Sequence, residues 1–186
     1  MGRNVFDPLF ASSPARVLRF LARNAGKSFF EREIVEATGV SRSAVNLATR
    51  MLHQAGLLLC ERRGRMNFYT ADDRHPFVRQ FKVMDNLAQL EALLNELRPL
   101  ARQIILFGSC AEGTNTSESD VDLFILTLER SQVMAIISQS RGDHHIQPVI
   151  VNTQELAALK EKDAAFFTQV KRGIVLWEAA GEVADD

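Results

Sequence analysis

The sequence predicts an α+β chain in two parts joined by a long helix. The first part is a small helical domain ending in a β-hairpin, and the second a mixed sheet with flanking helices. Three observations predict this. Residues 13–56 contain three short helical stretches punctuated by Gly and Ser, followed at once by two β-type runs around Arg63-Gly64-Arg65. From Phe77 to Leu97 apolar residues recur at steps of three and four, the period of one long amphipathic helix. Beyond Pro99, short apolar runs alternate with helical stretches, the first two flanking Gly108-Ser109 and Asp120-Val121-Asp122.

Size and charge agree with two parts. A chain of 186 residues suits one large domain or two small ones, and 46% hydrophobic residues supply material for a core in each. The net charge of −1 hides an asymmetry: residues 1–74 carry 12 Lys/Arg against 7 Asp/Glu, and residues 75–186 carry 10 against 16. A basic front and an acidic back suggest different partners. No apolar run reaches the length of a membrane span, MGRNVFDPLF lacks a signal-peptide core, and Cys60 and Cys110 are too few for a disulfide framework or zinc site. A cytoplasmic protein with no membrane partner is expected. We place the boundaries at 1–74, 75–101 (connecting helix), 102–178 and 179–186 (acidic tail).

In chain order, residues 1–12 read as a loosely held arm. Ser13-Pro14 opens a first helix with Val17, Leu18, Phe20 and Leu21 as its apolar stripe and Arg16, Arg19 and Arg23 outside it. A second short helix covers Glu31–Thr38, with Ile34, Val35 and Ala37 inward and Gly39 as its stop. Ser41 caps a third, with Ala44, Val45, Ala48 and Leu52 at core spacing and Arg42, Ser43, Asn46 and Arg50 on the opposite face. Gly56–Arg62 and Met66–Thr70 then read as strands joined at Arg63-Gly64-Arg65.

Helix, short helix, tight turn, third helix and basic hairpin together resemble a winged helix-turn-helix DNA-binding domain. The resemblance implies double-stranded DNA as partner. The third helix would enter the major groove, where Arg reads guanine and Asn adenine, while Arg62, Arg63 and Arg65 on the wing neutralise phosphates. The candidate DNA-binding residues are therefore Ser41, Arg42, Ser43, Asn46, Arg50, Arg62, Arg63 and Arg65. The modest positive charge of one copy points to a homodimer. The competing reading is a winged helix that docks protein.

Gln132–Ser138, Thr153–Lys162 and Ala164–Arg172 read as helices, and His144–Val151 and Ile174–Trp177 as strands. The chemistry lies earlier. Ile104–Phe107 reads as a buried strand stopping at Gly108-Ser109, and Leu123–Leu126 as a second strand preceded by Asp120-Val121-Asp122. Residues i and i+2 of a strand share a face, so Asp120 and Asp122 stand side by side and call for a cation between them. Hard oxygen ligands suit Mg²⁺, and a glycine-serine turn at a helix start accommodates phosphate oxygens.

Gly108-Ser109, Gly113 and Ser119-Asp120-Val121-Asp122-Leu123 resemble the signature of the polymerase-β-type nucleotidyltransferase superfamily, in its minimal branch. The resemblance implies Ser109, Asp120 and Asp122 as catalytic residues, Asp120 and Asp122 as ligands of Mg²⁺ or Mn²⁺, and Gly108, Ser109, Gly113 and Ser119 as nucleotide-binding. It implies transfer of a nucleoside monophosphate, AMP from ATP first among them, to a hydroxyl of a partner; an acceptor protein fits, since minimal members include antitoxins that modify partner toxins.

The pattern departs from the family at the third carboxylate, whose natural place is Gln147: an amide is no general base and a poorer metal ligand. Asp143 and His145 share its strand parity and are possible substitutes, and Pro148 suggests an edge or irregular strand. His144 and His145, adjacent on a strand, face opposite ways and cannot clamp one ion. The rival expectation is a transcription regulator whose transferase fold is degenerate and serves nucleotide sensing or assembly.

Overall fold

A computed structural model describes residues 5–140 and 145–180. Arg141-Gly142-Asp143, His144 and most of the acidic tail lie outside the described residues. The chain forms two compact units, Met1–Gln89 with Gly113–Glu118, and Leu90–Glu112 with Ser119–Asp186.

The first unit holds α1 (Ser13–Arg23), β1 (Phe29–Phe30), α2 (Glu31–Thr38), α3 (Arg42–Gln54), β2 (Leu58–Arg63) and β3 (Met66–Ala71). Its sheet runs β1-β3-β2, all antiparallel, which is winged-helix topology. Ser12, one residue before the expected start, caps α1 by accepting from the Ala15 amide at 3.3 Å, with Pro14 in the first turn. Ser41 caps α3 through the Ala44 amide at 3.4 Å. Gly39 ends α2 at φ +64, a conformation that glycine adopts without steric cost. The core gathers Val17, Leu21, Ile34, Val45, Ala48, Leu58 and Tyr69, whereas Ala37, expected inward, is exposed.

One sequence expectation needs correction here. The stretch before α1 is not a loose arm over its described part: Asp7–Phe10 form a 3₁₀ turn, and Phe10 is buried edge-on against Phe81 at 5.6 Å with the Arg19 guanidinium over its ring. Apolar burial of Phe6 and Phe10 holds it there. Arg19 and Arg23, outside the apolar stripe of α1, both bind Asp85, whose side chain is 4% exposed, at 2.6 and 2.5 Å.

Asp85 lies on α4 (Pro76–Leu97), the long helix that periodicity predicts. The division between the units falls inside it, between Gln89 and Leu90, rather than at residue 74. Val78, Phe81 and Ala88 belong to the first unit's core, so this helix is more than a connector.

The second unit holds the rest of α4, then β4 (Ala101–Phe107), α5 (Gly108–Glu112), β5 (Val121–Thr127), α6 (Arg130–Gln139), β6 (Ile146–Val151), α7 (Thr153–Lys162), α8 (Ala164–Lys171) and β7 (Ile174–Glu178). The sheet order is β6-β5-β4-β7; β5 and β6 are parallel, the other pairs antiparallel. Pro148 sits on the edge strand β6, where a missing amide is tolerated. One sheet face buries Ile105, Phe107, Phe124 and Val151 against Leu156, Leu159, Phe166 and Val170 of α7 and α8.

Candidate active site and candidate DNA interface

The carboxylate pair sits where β4 ends and β5 begins. Phe107, the last residue of β4, is opposite Asp122, and Gly108 turns the chain into α5 at φ +67. A side chain at Gly108 would collide with the Asp122 carboxylate, so that glycine lets the acid lie directly on the turn. Ser109, half-buried, is the next residue of α5. The buried Cys110 thiol donates to the Asp120 carbonyl at 3.5 Å, tying α5 to the start of β5.

Asp120 immediately precedes β5 and Asp122 is its second residue, so both acids sit at the entry of that strand. Burial, and then the neighbouring Asp120 charge, push the Asp122 carboxyl above the usual carboxylate range. Asp120 is about half exposed, with His145 Nδ1 at 3.4 Å from its Oδ1. The parallel register sets Gln147 directly beside Asp122, and the Val121 amide donates to the His145 carbonyl at 2.9 Å. The acids thus have His145 and Gln147 beside them, while Asp143 lies outside the described residues. Among those described, no three His, Cys, Asp or Glu side chains converge on one point. The pair fits a divalent cation as a two-carboxylate ligand set, because such an ion would offset both the burial and the neighbouring charge that raise Asp122.

The remaining sequence candidates divide. Ser119 is half-buried and immediately precedes Asp120. Gly113 is buried against α4, where an added Cβ would strike the Arg79 carbonyl, so packing accounts for this glycine. Nearby Asn115 and Asn86 exchange buried side-chain bonds at 3.1 and 3.3 Å. Sequence reasoning missed Arg172. Gly108 and Ala111 of α5 share a cavity of about 130 Å³ with Thr168 and Gln169 of α8 and with Arg172. Its only signal was a basic residue before Gly173 at a strand entry, which no spacing rule relates to Gly108.

In the first unit Arg42, Ser43 and Arg50 are exposed on α3, and Arg62, Arg63 and Arg65 on the hairpin. Several are already engaged. Asn46 donates to Glu31 at 2.8 Å, Ser41 spends its hydroxyl on the cap, and Arg62 donates to the Gly64 carbonyl at 3.3 Å. Arg63 pairs with Glu61 at 2.6 Å, lies over the Phe68 ring and holds the Glu61 carboxyl below its usual range. Arg42 and Arg65 have no carboxylate partner among the described residues and line a cavity of about 400 Å³ between α2, α3 and the hairpin.

A glycine-serine turn carrying a carboxylate from the adjacent strand, on a four-stranded mixed sheet, defines a nucleotidyltransferase-type site. The chain belongs to the nucleotidyltransferase domain family, which it matches over residues 87–182. A candidate nucleotidyltransferase from Sulfolobus solfataricus is similar over 54% of this chain and 87% of its own, at 17% identity and a TM-score of 0.38. TrmBL2, an archaeal chromatin protein whose structure shows a mode of DNA binding, is similar over 83% of this chain and 70% of its own, at 14% identity and a TM-score of 0.31. Likenesses this distant carry no statement about activity. No curated protein matches the chain.

Proposed function

We propose that the second unit transfers a nucleoside monophosphate, AMP from ATP first among the candidates, to a hydroxyl of a partner molecule, a protein being the favoured acceptor. The observation that carries this is Asp122 lying against Gly108 with the Asp120 charge acting on it. The triphosphate rests on the Gly108-Ser109 turn, with the Ser109 hydroxyl and amide as donors to its oxygens. Asp120 and Asp122 would hold the divalent ion, which supplies charge neutralisation at the α-phosphate and leaving group. The acceptor oxygen forms a bond to the α-phosphorus, the bond to the bridging oxygen breaks, and pyrophosphate departs. The acceptor proton passes to solvent, because Gln147 offers no base.

The first unit binds double-stranded DNA in this reading, chiefly through Arg42, Arg50, Arg62 and Arg65, and a homodimer supplies the affinity that one copy lacks. Its setting is cytoplasmic.

Labelled ATP incubated with Mg²⁺ or Mn²⁺ and a lysate or candidate partner tests the transferase: label must enter an acceptor with wild type and not with Asp120→Asn/Asp122→Asn. One observation favours a second reading. Gln147 stands beside Asp122 where a third carboxylate would serve, which suits a nucleotide-sensing regulator without transfer. Metal-dependent ATP binding without label transfer to any acceptor selects that reading.

A further inference from the structure

We infer that Arg172 grips the β- and γ-phosphates of the nucleoside triphosphate, a contact that rests on the transferase reading above. Leu106 of β4 is paired with Ile174 of β7, Gly173 is the residue before that strand, and Arg172 caps the end of α8 just ahead of it. Gly173 permits a close approach to β4: a Cβ there would strike the Leu106 carbonyl and come within 2.8 Å of Ile105 Cγ2. The end of α8 therefore lies flush on β4, and Arg172 and Gly108 share one cavity.

The phosphate turn is thus flanked by opposite charges. Asp122 lies on its β5 side, and Arg172 shares its cavity from the end of α8. A triphosphate whose α-phosphate faces the aspartates extends its other phosphates toward Arg172. The Arg172 side chain is exposed and has no carboxylate partner among the described residues. A planar guanidinium donates to two phosphate oxygens at once, and it offsets the charge that grows on pyrophosphate as the bond to it breaks. The Gln169 amide lines the same cavity and adds a donor, and Glu112 is the opposing charge on its rim. At about 130 Å³ the cavity is too small for a whole nucleotide and suits its phosphate end.

Isothermal titration of the full chain with Mn²⁺ plus ATP, AMP or tripolyphosphate tests this. Arg172→Gln is expected to weaken ATP and tripolyphosphate by about 10- to 100-fold and leave AMP unchanged, with Arg172→Lys partly restoring the loss. An unchanged melting temperature checks that the variant folds. If Arg172→Gln binds ATP as wild type does, or weakens AMP equally, the assignment to the outer phosphates is overturned while the transferase site stands. Failure of the wild type to bind ATP at all would remove the transferase reading with it.

Discussion

Both units pair charges, but among the described residues only the second leaves two acids facing one another. In the first, most ionic and polar groups meet a partner inside the fold: Asp85 takes two arginines, Lys82 faces Asp73 at 3.3 Å, Asn46 holds Glu31 and Arg63 holds Glu61. In the second, Asp120 and Asp122 act on each other with His145 3.4 Å from Asp120, and the nearby Arg172 has no carboxylate partner among the described residues. A fold gains by neutralising its charges, so those left facing one another without relief mark where an outside ligand acts. The same test ranks the polar and basic residues of the first unit, favouring Arg42 and Arg65 over Asn46 and Arg63 as contacts for nucleic acid.

The sharpest way to break this contrast is to remove the acids at issue from each unit in turn. Asp120→Asn/Asp122→Asn is expected to lower nucleotidyl transfer by roughly three orders of magnitude or more, since metal neutralisation is worth several kcal/mol. The fold should remain intact by circular dichroism, and residual transfer near wild type would sink the metal role. Asp85→Ala should do the reverse, costing about 1–3 kcal/mol of stability by removing the buried acceptor that both arginines share, as read by urea denaturation. A loss under about 1 kcal/mol would show that the cluster is not a buried anchor.

Arg42→Ala/Arg65→Ala should reduce the slope of log affinity against log salt by about two for duplex DNA, one phosphate contact each. Asn46→Ala/Arg63→Ala should change it far less. Equal effects from the two pairs would erase the distinction between engaged and free side chains.

The smallest effect concerns pH. The folded pKa of Asp122 is raised, so the folded state binds that proton more tightly than the unfolded chain does. Stability from this group is complete below the unfolded carboxylate range and is lost as pH rises through the raised folded value. Without metal, Asp122→Asn should therefore melt on the order of 1–2 °C above wild type at neutral pH, with the gap closing toward acid. Adding Mn²⁺ should raise the melting point of wild type and not that of the variant; a variant melting below wild type at neutral pH without metal contradicts the repulsion.

Much of this protein was legible in one dimension. Period-three-and-four stripes marked α1 through α4, Gly39 and Ser41 fixed a turn and a cap by backbone sterics and hydrogen bonding, and the DxD spacing put both acids at the entry of one strand. These features depend on neighbours a few residues apart, and chain geometry alone sets them. Asp85 reaching 62 and 66 residues back to Arg23 and Arg19, Gly113 lost to packing on α4, Gln147 brought level with Asp122 and Arg172 brought beside Gly108 were decided only by the tertiary fold. Strand register and helix docking choose such partners, because burial and charge pairing act between residues that the sequence keeps far apart.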